Sequence, residues 1–569
     1  MGVYLGIFDG HNAAAALCSE GRVQQVLQEE RLTGIKNFYG PPALAVGRML
    51  EMAGLAASAV DRVCLASRYV ATPRHPHAVK EGFDQRYAGG LRQGVAGLLA
   101  SRRGYRQWRT RQRMQARQEV VADWGFSPER IDFVDHHQVH AATAYYGLRR
   151  DEGPYLVLTL DGGGDGLSGS VWRGEGGRLE RLAATSQADS LGEIYAVTTH
   201  LLGFMPLEHE YKLMGMAPYA SQERAARVAQ IFRRYLDLDR TQPMMFRRLV
   251  PEALSQLGPR LQRDLERLRF DEICAGLQQF TEELMARWVR VCVAQTGIGR
   301  VLAAGGVFMN VKANKIISEL DEVEVFEAFP SCGDESLPLG VCYLAAHAAG
   351  ETVRPLEHCY LGNDLSAAEC RQALRAVEGL EVEEPTDMAV RVAQLLAAGE
   401  VVARAAGPME FGARALGNRS ILADPLNQDV VRVINRMIKK RDFWMPFAPV
   451  VRRQDAEAYF RNPKGLPSPY MMNTFDSTDR RTELMAAVHN ADLSARPQLL
   501  EAGQNPGYEA ILDHFAALTG RKVLLNTSFN LHGFPIACSA ADALQVLMDS
   551  GLNRLVLGPF LVSKRGAAG

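Results

Sequence analysis

Hydrophobic and polar positions along the chain fall into short apolar runs closed by glycine and longer stretches of helical period, an alternation that predicts an α/β fold. VYLGIFDG reads as a strand ending at Asp9-Gly10, and RVQQVLQEE as a second strand. YLVLTLDGGG, Tyr155–Gly164, repeats the order of strand, aspartate and glycines, and VLAAGGVFMN at 301–310 gives a third strand-to-glycine junction. An amphipathic helix is expected from about Ile273 to Gln295 and another in VKANKII. Residues 85–125 and 221–270, rich in Arg and Gln at helical spacing, read as helical insertions with solvated charge. Pro, Gly and Asn break the pattern at 351–365, which places a boundary between domains 1–355 and 356–569.

Composition narrows the class. The chain has 569 residues, enough for two or three domains, with 47% hydrophobic and 23% charged residues, ordinary for a soluble globular protein. A net charge of −1 argues against a nucleic-acid-coating surface and leaves room for a local patch. Nine cysteines without CxxC pairs indicate neither a disulfide framework nor a Cys-rich zinc site. No signal-peptide pattern opens the chain, and no apolar run reaches the roughly 18–20 residues a membrane span needs. The expected location is the cytoplasm.

Three groups of residues carry candidate chemistry. Asp9-Gly10, the Asp161 loop with its three glycines, and Gly305-Gly306 each end a strand. Glycine lets backbone approach a phosphate closely, and the aspartate holds a metal or orients a water, so the recurrence points to an ASKHA (actin and sugar-kinase) nucleotide fold. His136 and His140 in VDHHQVHAATAYY project from one helix face and fit chelation of one metal, with His137 pointing elsewhere; a capped helix with carboxylate-bonded histidines is the competing reading. Asp334 in PSCGDESLPLG is a candidate third ligand, or an ordinary helix cap. The segment 410–449 sets Arg414, Arg419, Lys439, Lys440 and Arg441 among glycines and Phe411, Phe443, Trp444 and Phe447, which suits a walled anion pocket.

In order along nearly the whole chain, GHNAAAAL, DHHQVHAA, LDGGGDG, HEYKLMGMAPY, AAGGVFMNVKAN, PSCGDES, MEFGARALGNRSILADP, IKKRDFWMPFAP and LLNTSFNLHGFPI resemble the O-carbamoyltransferases of the nodulation-protein and antibiotic-tailoring type, with tobramycin, cephamycin and ansamycin carbamoyltransferases as relatives. The resemblance implies an N-terminal ASKHA, Kae1-like domain with helical insertions and a C-terminal YrdC-like α/β domain. It implies that carbamoyl phosphate gives carbamate, which passes through an internal channel and is adenylated by ATP with Mg²⁺. The carbamoyl group then goes to a hydroxyl of a small natural product or sugar. Carried onto this chain, Arg414, Lys439, Arg496, Ser528 and Asn530 bind carbamoyl phosphate, Arg414 and Lys439 also acting in catalysis. Lys212, Gly215, Gly305, Gly306 and Asn310 contact the nucleotide. His136, His140 and Asp334 hold a divalent metal, iron by analogy, with Asp161 beside metal and phosphate. His11 reads by itself as a residue packed beside the nucleotide loop, and the resemblance makes it the general base on the acceptor hydroxyl. The expected partners are small molecules only, with no nucleic acid and no membrane, on a monomer or homodimer.

Three positions depart from the family pattern. Asn12 stands where relatives carry Asp, Met445 where they carry Arg, and Phe534 where they carry Glu. Either a buried ion pair has been exchanged for apolar packing, or the donor is less charged or bulkier. A changed donor or an amine acceptor, or an impaired nucleotide-binding scaffold, are the other functional readings.

Overall fold

A computed structural model describes residues 2–70, 78–87, 103–426 and 428–566. The 85–125 helical expectation therefore lies partly outside the described residues. The chain divides into two compact units, Met1–Thr33 with Asn37–Glu357, and His358–Gly569 with Gly34–Lys36. Both are mixed α/β.

The first unit contains two five-stranded sheets of one design. In the first, β1 (Val3–Phe8), β2 (Ala14–Ser19) and β3 (Arg22–Gln28) form an antiparallel meander, and β4 (Arg62–Ala66) and β5 (Ile131–Val134) continue in parallel from β1. In the second, β6 (Tyr155–Gly164), β7 (Leu167–Glu175) and β8 (Arg178–Ser186) repeat the meander, and β11 (Arg300–Ala304) and β12 (Val325–Ala328) repeat the parallel pair. Strand order and polarity match, so the unit is a duplicated fold, as the ASKHA expectation requires. The Asp9-Gly10 and Asp161 loops fall at equivalent strand ends, after β1 and in the last residues of β6, and Gly305-Gly306 follow β11, which runs parallel to β6.

Three readings are corrected here. β2 lies between the two strands read at the start of the chain, its run AAALCS being small and buried on both faces, which leaves no alternation to mark it. β3 ends at Gln28, because Glu29 and Glu30 open a helix. The stretch 221–270 is not wholly helical: β9 (Leu236–Leu238) and β10 (Phe246–Arg248) pair as an antiparallel ribbon between the helices Gln222–Phe232 and Gly258–Asp264. The long helix spans Phe270–Thr296 and ends on Gly297 in the left-handed region.

The second unit is built on an eight-stranded mixed sheet. Its order is β13 (Leu380–Glu383), β23 (Phe560–Lys564), β22 (Arg554–Leu557), β14 (Val402–Ala405), β15 (Arg419–Ala423), β21 (Val523–Ser528), β16 (Ala448–Arg452) and β20 (Gln498–Leu500). A small antiparallel sheet joins β17 (Phe460–Arg461), β18 (Phe475–Ser477) and β19 (Ser494–Ala495). Alternate residues of the central strands enter different cores, Ile421 and Leu525 on one face, Leu422 and Leu524 on the other. Covering both faces leaves the strand ends as the place for polar side chains to converge. All nine cysteines are free and buried. Among the described residues no helix is long and apolar enough to cross a membrane.

Candidate functional site

In the first unit the chemistry gathers at the glycine-rich strand ends. The helix His136–Leu148 follows β5 directly, and Asp135 caps it by accepting the Gln138 N–H at 3.2 Å. The cap fixes where the first turn begins, so His136 and His140 face the last residues of β6. Each Nε2 approaches Asp161 Oδ2, at 3.2 and 3.3 Å, and Asp334 Oδ1, at 3.6 and 3.4 Å. One ligand atom from each of these four residues lies within 4.8 Å of every other. Asp334 does not cap its helix, which has no side-chain cap bond. Gly164 is required for this closeness: a Cβ there would lie 2.2 Å from the His136 ring. Gly305 likewise sits at φ 103°, where a Cβ would meet Leu160 O at 2.3 Å.

The electrostatics fit a cation site. Burial opposes charge on Asp161, but the hydrogen bonds from His136 and His140 outweigh it and hold this carboxyl well below the usual carboxylate range. Burial equally opposes charge on His140, and its bonds with Asp161 and Asp334 push it up to about 9. Asp334 Oδ1, itself out of solvent, meets the two Nε2 atoms only at the longer 3.4–3.6 Å, which leaves a lone pair aimed into the cluster. Two imidazole nitrogens and two carboxylate oxygens suit a divalent ion. His137 lies outside the cluster, bonded to Thr159 Oγ1 at 2.8 Å, and burial holds its pKa well below the usual range.

His11 is half-buried in the loop after β1, held by a backbone bridge to Tyr39, and the next residue, Asn12, is left-handed at φ 62°. Burial lowers its pKa below 6.5 against the pull of Asp334, Glu208, Glu30 and Asp161, so the imidazole is neutral at pH 7 and able to accept a proton. Asp9 does not hold a metal or a water as expected. Arg117 takes both its carboxylate oxygens, at 2.7 and 2.6 Å.

Of the nucleotide residues, Gly306 closes on Asp161, a Cβ there lying 3.1 Å from Asp161 Oδ1. Lys212 and Gly215 lie on the helix Glu210–Met216, the Lys212 amine 5.4 Å from the Phe204 ring centre. The Asn310 carboxamide has internal partners: Oδ1 caps the helix Val311–Ser318 and bonds Gln278, and Nδ2 donates to Gln278 Oε1 at 2.9 Å. Its side chain therefore shapes the loop.

The second unit brings Lys439, Ser528 and Asn530 together at the end of β21. Lys439 closes a π-helical turn, Asn435–Lys439, and Lys440 follows at φ 46°. Its Nζ donates to Ser528 Oγ at 3.0 Å, Asn530 Oδ1 at 2.7 Å and Asn530 O at 3.3 Å, with no carboxylate in ion-pair range among the described residues. It is 3% exposed. Burial, then the charges of Arg441 and Lys36, hold its pKa well below 10.5. Arg441 adds a guanidinium bonded to Thr527 Oγ1 at 3.0 Å. A buried amine in a cationic, hydroxyl-lined corner is an anion site. Asn530 positions this amine, because both its amide hydrogens go to main-chain carbonyls, Leu531 O and Phe534 O.

Arg414 lies in the bend after Gly412, and Arg496 is half-buried between β19 and β20. The loop carrying Arg414 is organised by Glu410, whose buried Oε1 accepts the N–H groups of Leu416, Asn418 and Arg419 at 2.6, 3.1 and 3.1 Å. Arg419 is not a pocket cation: fully buried on β15, it donates to the carbonyls of Gly407, Asn418 and Asn363. Phe534 is 55% exposed, so apolar burial does not account for its place.

Sequence reasoning missed Arg117, Ser67, Asp165 and Glu410. Arg109, Arg113 and Arg117 recur every four residues on one helix, a signal assigned to solvent. Asp165 and Glu410 lie inside the motifs LDGGGDG and MEFGARALGNRSILADP without having been given a role, and Ser67 had no local signal.

Comparison with known proteins agrees with this division. A family model described as carbamoyltransferase N-terminus matches residues 3–342, and one described as carbamoyltransferase C-terminus matches residues 393–564. Nodulation protein NolNO of Sinorhizobium fredii is 32% identical over 98% of this chain and 80% of its own length. An uncharacterized protein of Methanocaldococcus jannaschii is 28% identical over 98% of this chain and 99% of its own. The 3'-hydroxymethylcephem-O-carbamoyltransferase of Amycolatopsis lactamdurans is 36% identical over 29% of this chain and 30% of its own.

Proposed function

The chain belongs to the carbamoyltransferase family and is a transferase enzyme, and from that premise we propose an ATP-dependent O-carbamoyltransferase acting on a hydroxyl of a small natural product or sugar. The observation that carries this reading is the buried Lys439 amine, which has hydroxyl and amide partners and no counter-ion among the described residues. A dianionic phosphoryl donor supplies the missing charge.

In this reading the second unit, YrdC-like in role, takes carbamoyl phosphate. Lys439 holds the phosphoryl oxygens with Ser528, Arg414 and Arg496, and water displaces phosphate to leave carbamate. Carbamate oxygen then attacks the α-phosphorus of ATP, and pyrophosphate leaves, giving carbamoyl adenylate. In the first unit the acceptor oxygen attacks the carbamoyl carbon, AMP leaves, and His11 takes the hydroxyl proton. His136, His140, Asp161 and Asp334 would hold a divalent ion, iron by family analogy, supplying positive charge beside the phosphate. Nucleotide contacts fall to Gly305, Gly306, Lys212 and Gly215. A neutral, partly enclosed His11 suits proton abstraction, and a carbamoyl group kept from bulk water is spared hydrolysis.

The decisive assay supplies protein, ATP, Mg²⁺ and carbamoyl phosphate and follows phosphate and pyrophosphate separately. Both are expected to appear; neither appearing with hydroxyl acceptors present would overturn the reading. Pyrophosphate released only with another donor would favour the changed-donor alternative, for which Met445 and exposed Phe534 are the motivating observations. His11→Ala should retain pyrophosphate release yet slow transfer by about 10²–10⁴-fold. Equal loss of both steps would remove His11 as the base. With wild type, the rate of transfer should fall only below pH 6.5, because the folded-state pKa lies under that value.

A further inference from the structure

The helix Arg103–Asp123 is an insertion with a low apolar content, yet one of its faces is fastened to the rest of the first unit. Arg109 donates to Tyr69 OH, Arg113 Nε to Val70 O at 2.8 Å, and Arg117 to Ser67 O at 2.6 Å and Ala66 O at 3.0 Å. Spaced four apart, these arginines meet one strap, residues 66–70, that leaves the end of β4.

Arg117 differs from the other two. It is 3% exposed and meets Asp9 bidentately while holding the strap carbonyls with its remaining N–H groups. Asp9 stands two residues before His11. On the other side, Ser67 is buried and left-handed at φ 67°, and its hydroxyl lies 2.7 Å from His136 Nδ1. For His136 Nε2 to offer a lone pair to an ion, Nδ1 must keep its proton and donate it to Ser67 Oγ. Asp165 closes the circuit, accepting the Arg68 and Tyr69 N–H groups, each at 2.8 Å, and the His136 N–H at 3.0 Å.

We propose that Arg117 is a positioning residue that couples the His11 loop to the His136 imidazole, through Asp9 on one side and the Ser67 strap on the other. The inference deepens the proposed metal site and rests on it for its purpose, not for its geometry. Its consequence is that the inserted helix sets the tautomer of a metal ligand and the position of the general base with one guanidinium. Lysine cannot replace it, because a point ammonium has no planar fork to span two carboxylate oxygens and two carbonyls.

The test uses the full chain labelled with isotopic histidine, at fixed pH, the His136 resonance being assigned by its loss in His136→Gln. Wild type should show the Nδ1–H tautomer. Arg117→Lys and Ser67→Ala should show a mixed tautomer, and Arg117→Lys should weaken Mn²⁺ binding by about 10–100-fold at unchanged circular dichroism. Arg111→Lys, on the exposed face of the same helix, should change neither. A folded Arg117→Lys with wild-type tautomer and Mn²⁺ affinity within twofold would overturn the proposal. Should Arg117→Lys not fold, an unaltered tautomer in Ser67→Ala would overturn it equally. A shifted tautomer in a protein whose wild type binds no Mn²⁺ would uphold the coupling and discard the metal reading instead.

Discussion

Lys439→Met is expected to make the protein more stable and less active at once. The side chain keeps its volume and loses an ammonium that is 3% exposed and, among the described residues, bonded only to Ser528 and Asn530. Keeping such a charge out of water without a counter-ion is a standing cost of folding, while its removal takes away the main cation for a phosphoryl donor. Phosphate release from carbamoyl phosphate should fall by about 10²–10³-fold in kcat/KM, equivalent to about 3–4 kcal/mol. Thermal denaturation should shift upward by about 2–4 °C for each kcal/mol of burial cost relieved. The pH dependence separates this from simple repacking. In the unfolded chain the amine keeps its proton to about 10.5, and in the folded protein burial makes it give the proton up at lower pH. Between those limits the unfolded chain binds more protons, so wild-type stability rises with pH, and the variant lacks that slope. Its advantage should be greatest on the acid side of the folded-state pKa and shrink as pH rises toward 10.5. Inorganic phosphate should raise the wild-type midpoint and leave that of the variant unmoved. A variant destabilised at pH 7 with undiminished phosphate release would show that Lys439 is a structural amine.

The residues of this pocket were legible in the chain to very different degrees. Lys439 stands 89 residues before Ser528 and 91 before Asn530, and only ordered motifs linked them; spacing alone gave a basic segment. Within that segment Arg414 and Arg419 look alike, each with a glycine two positions before it. The sheet separates them, because Arg419 falls on a strand whose both faces are covered, and its fork goes to carbonyls. The Asp-Gly repetition led correctly to the doubled α/β unit, since glycine demand and strand-end position are local properties. It failed on Asp9, where a residue over a hundred positions away supplies the partner. Asn310 and Asn530 were assigned as ligand contacts through the resemblance to the family alone. Both Asn530 amide hydrogens go to main-chain carbonyls and the Asn310 carboxamide pairs with Gln278, and such commitment shows only in the folded chain. β2 was missed for the opposite reason, as its uniformly small residues carry no period at all.

Asp161→Asn should remove the cation site while leaving the fold in place. Asp161 is the one carboxylate that meets both His136 and His140 at 3.2–3.3 Å through a single oxygen, Oδ2. Its other oxygen accepts the Gly162 N–H at 2.7 Å, which an amide oxygen can still do. The substitution thus removes the charge and preserves the loop. Mn²⁺ affinity should fall by more than about 100-fold, since the change takes away a ligand outright where loss of a supporting contact costs 10–100-fold. Ion binding to wild type at pH 7 should release protons, because His140, raised to about 9, must surrender its proton to ligate. The variant should release fewer, as the hydrogen bond that raises His140 is weakened. Titration calorimetry in buffers of different ionisation enthalpy reads affinity and proton release together. For the reaction, carbamoyl transfer should fall far more than phosphate release from carbamoyl phosphate, which belongs to the other unit in the proposed scheme. Asp161→Asn that slows phosphate release as strongly as transfer would contradict the division of labour between the units, and wild-type affinity in that variant would remove Asp161 from the ligand set. The two substitutions are therefore complementary: Lys439→Met should stop the first step in a protein that still binds Mn²⁺, and Asp161→Asn should stop the last in a protein that still takes phosphate.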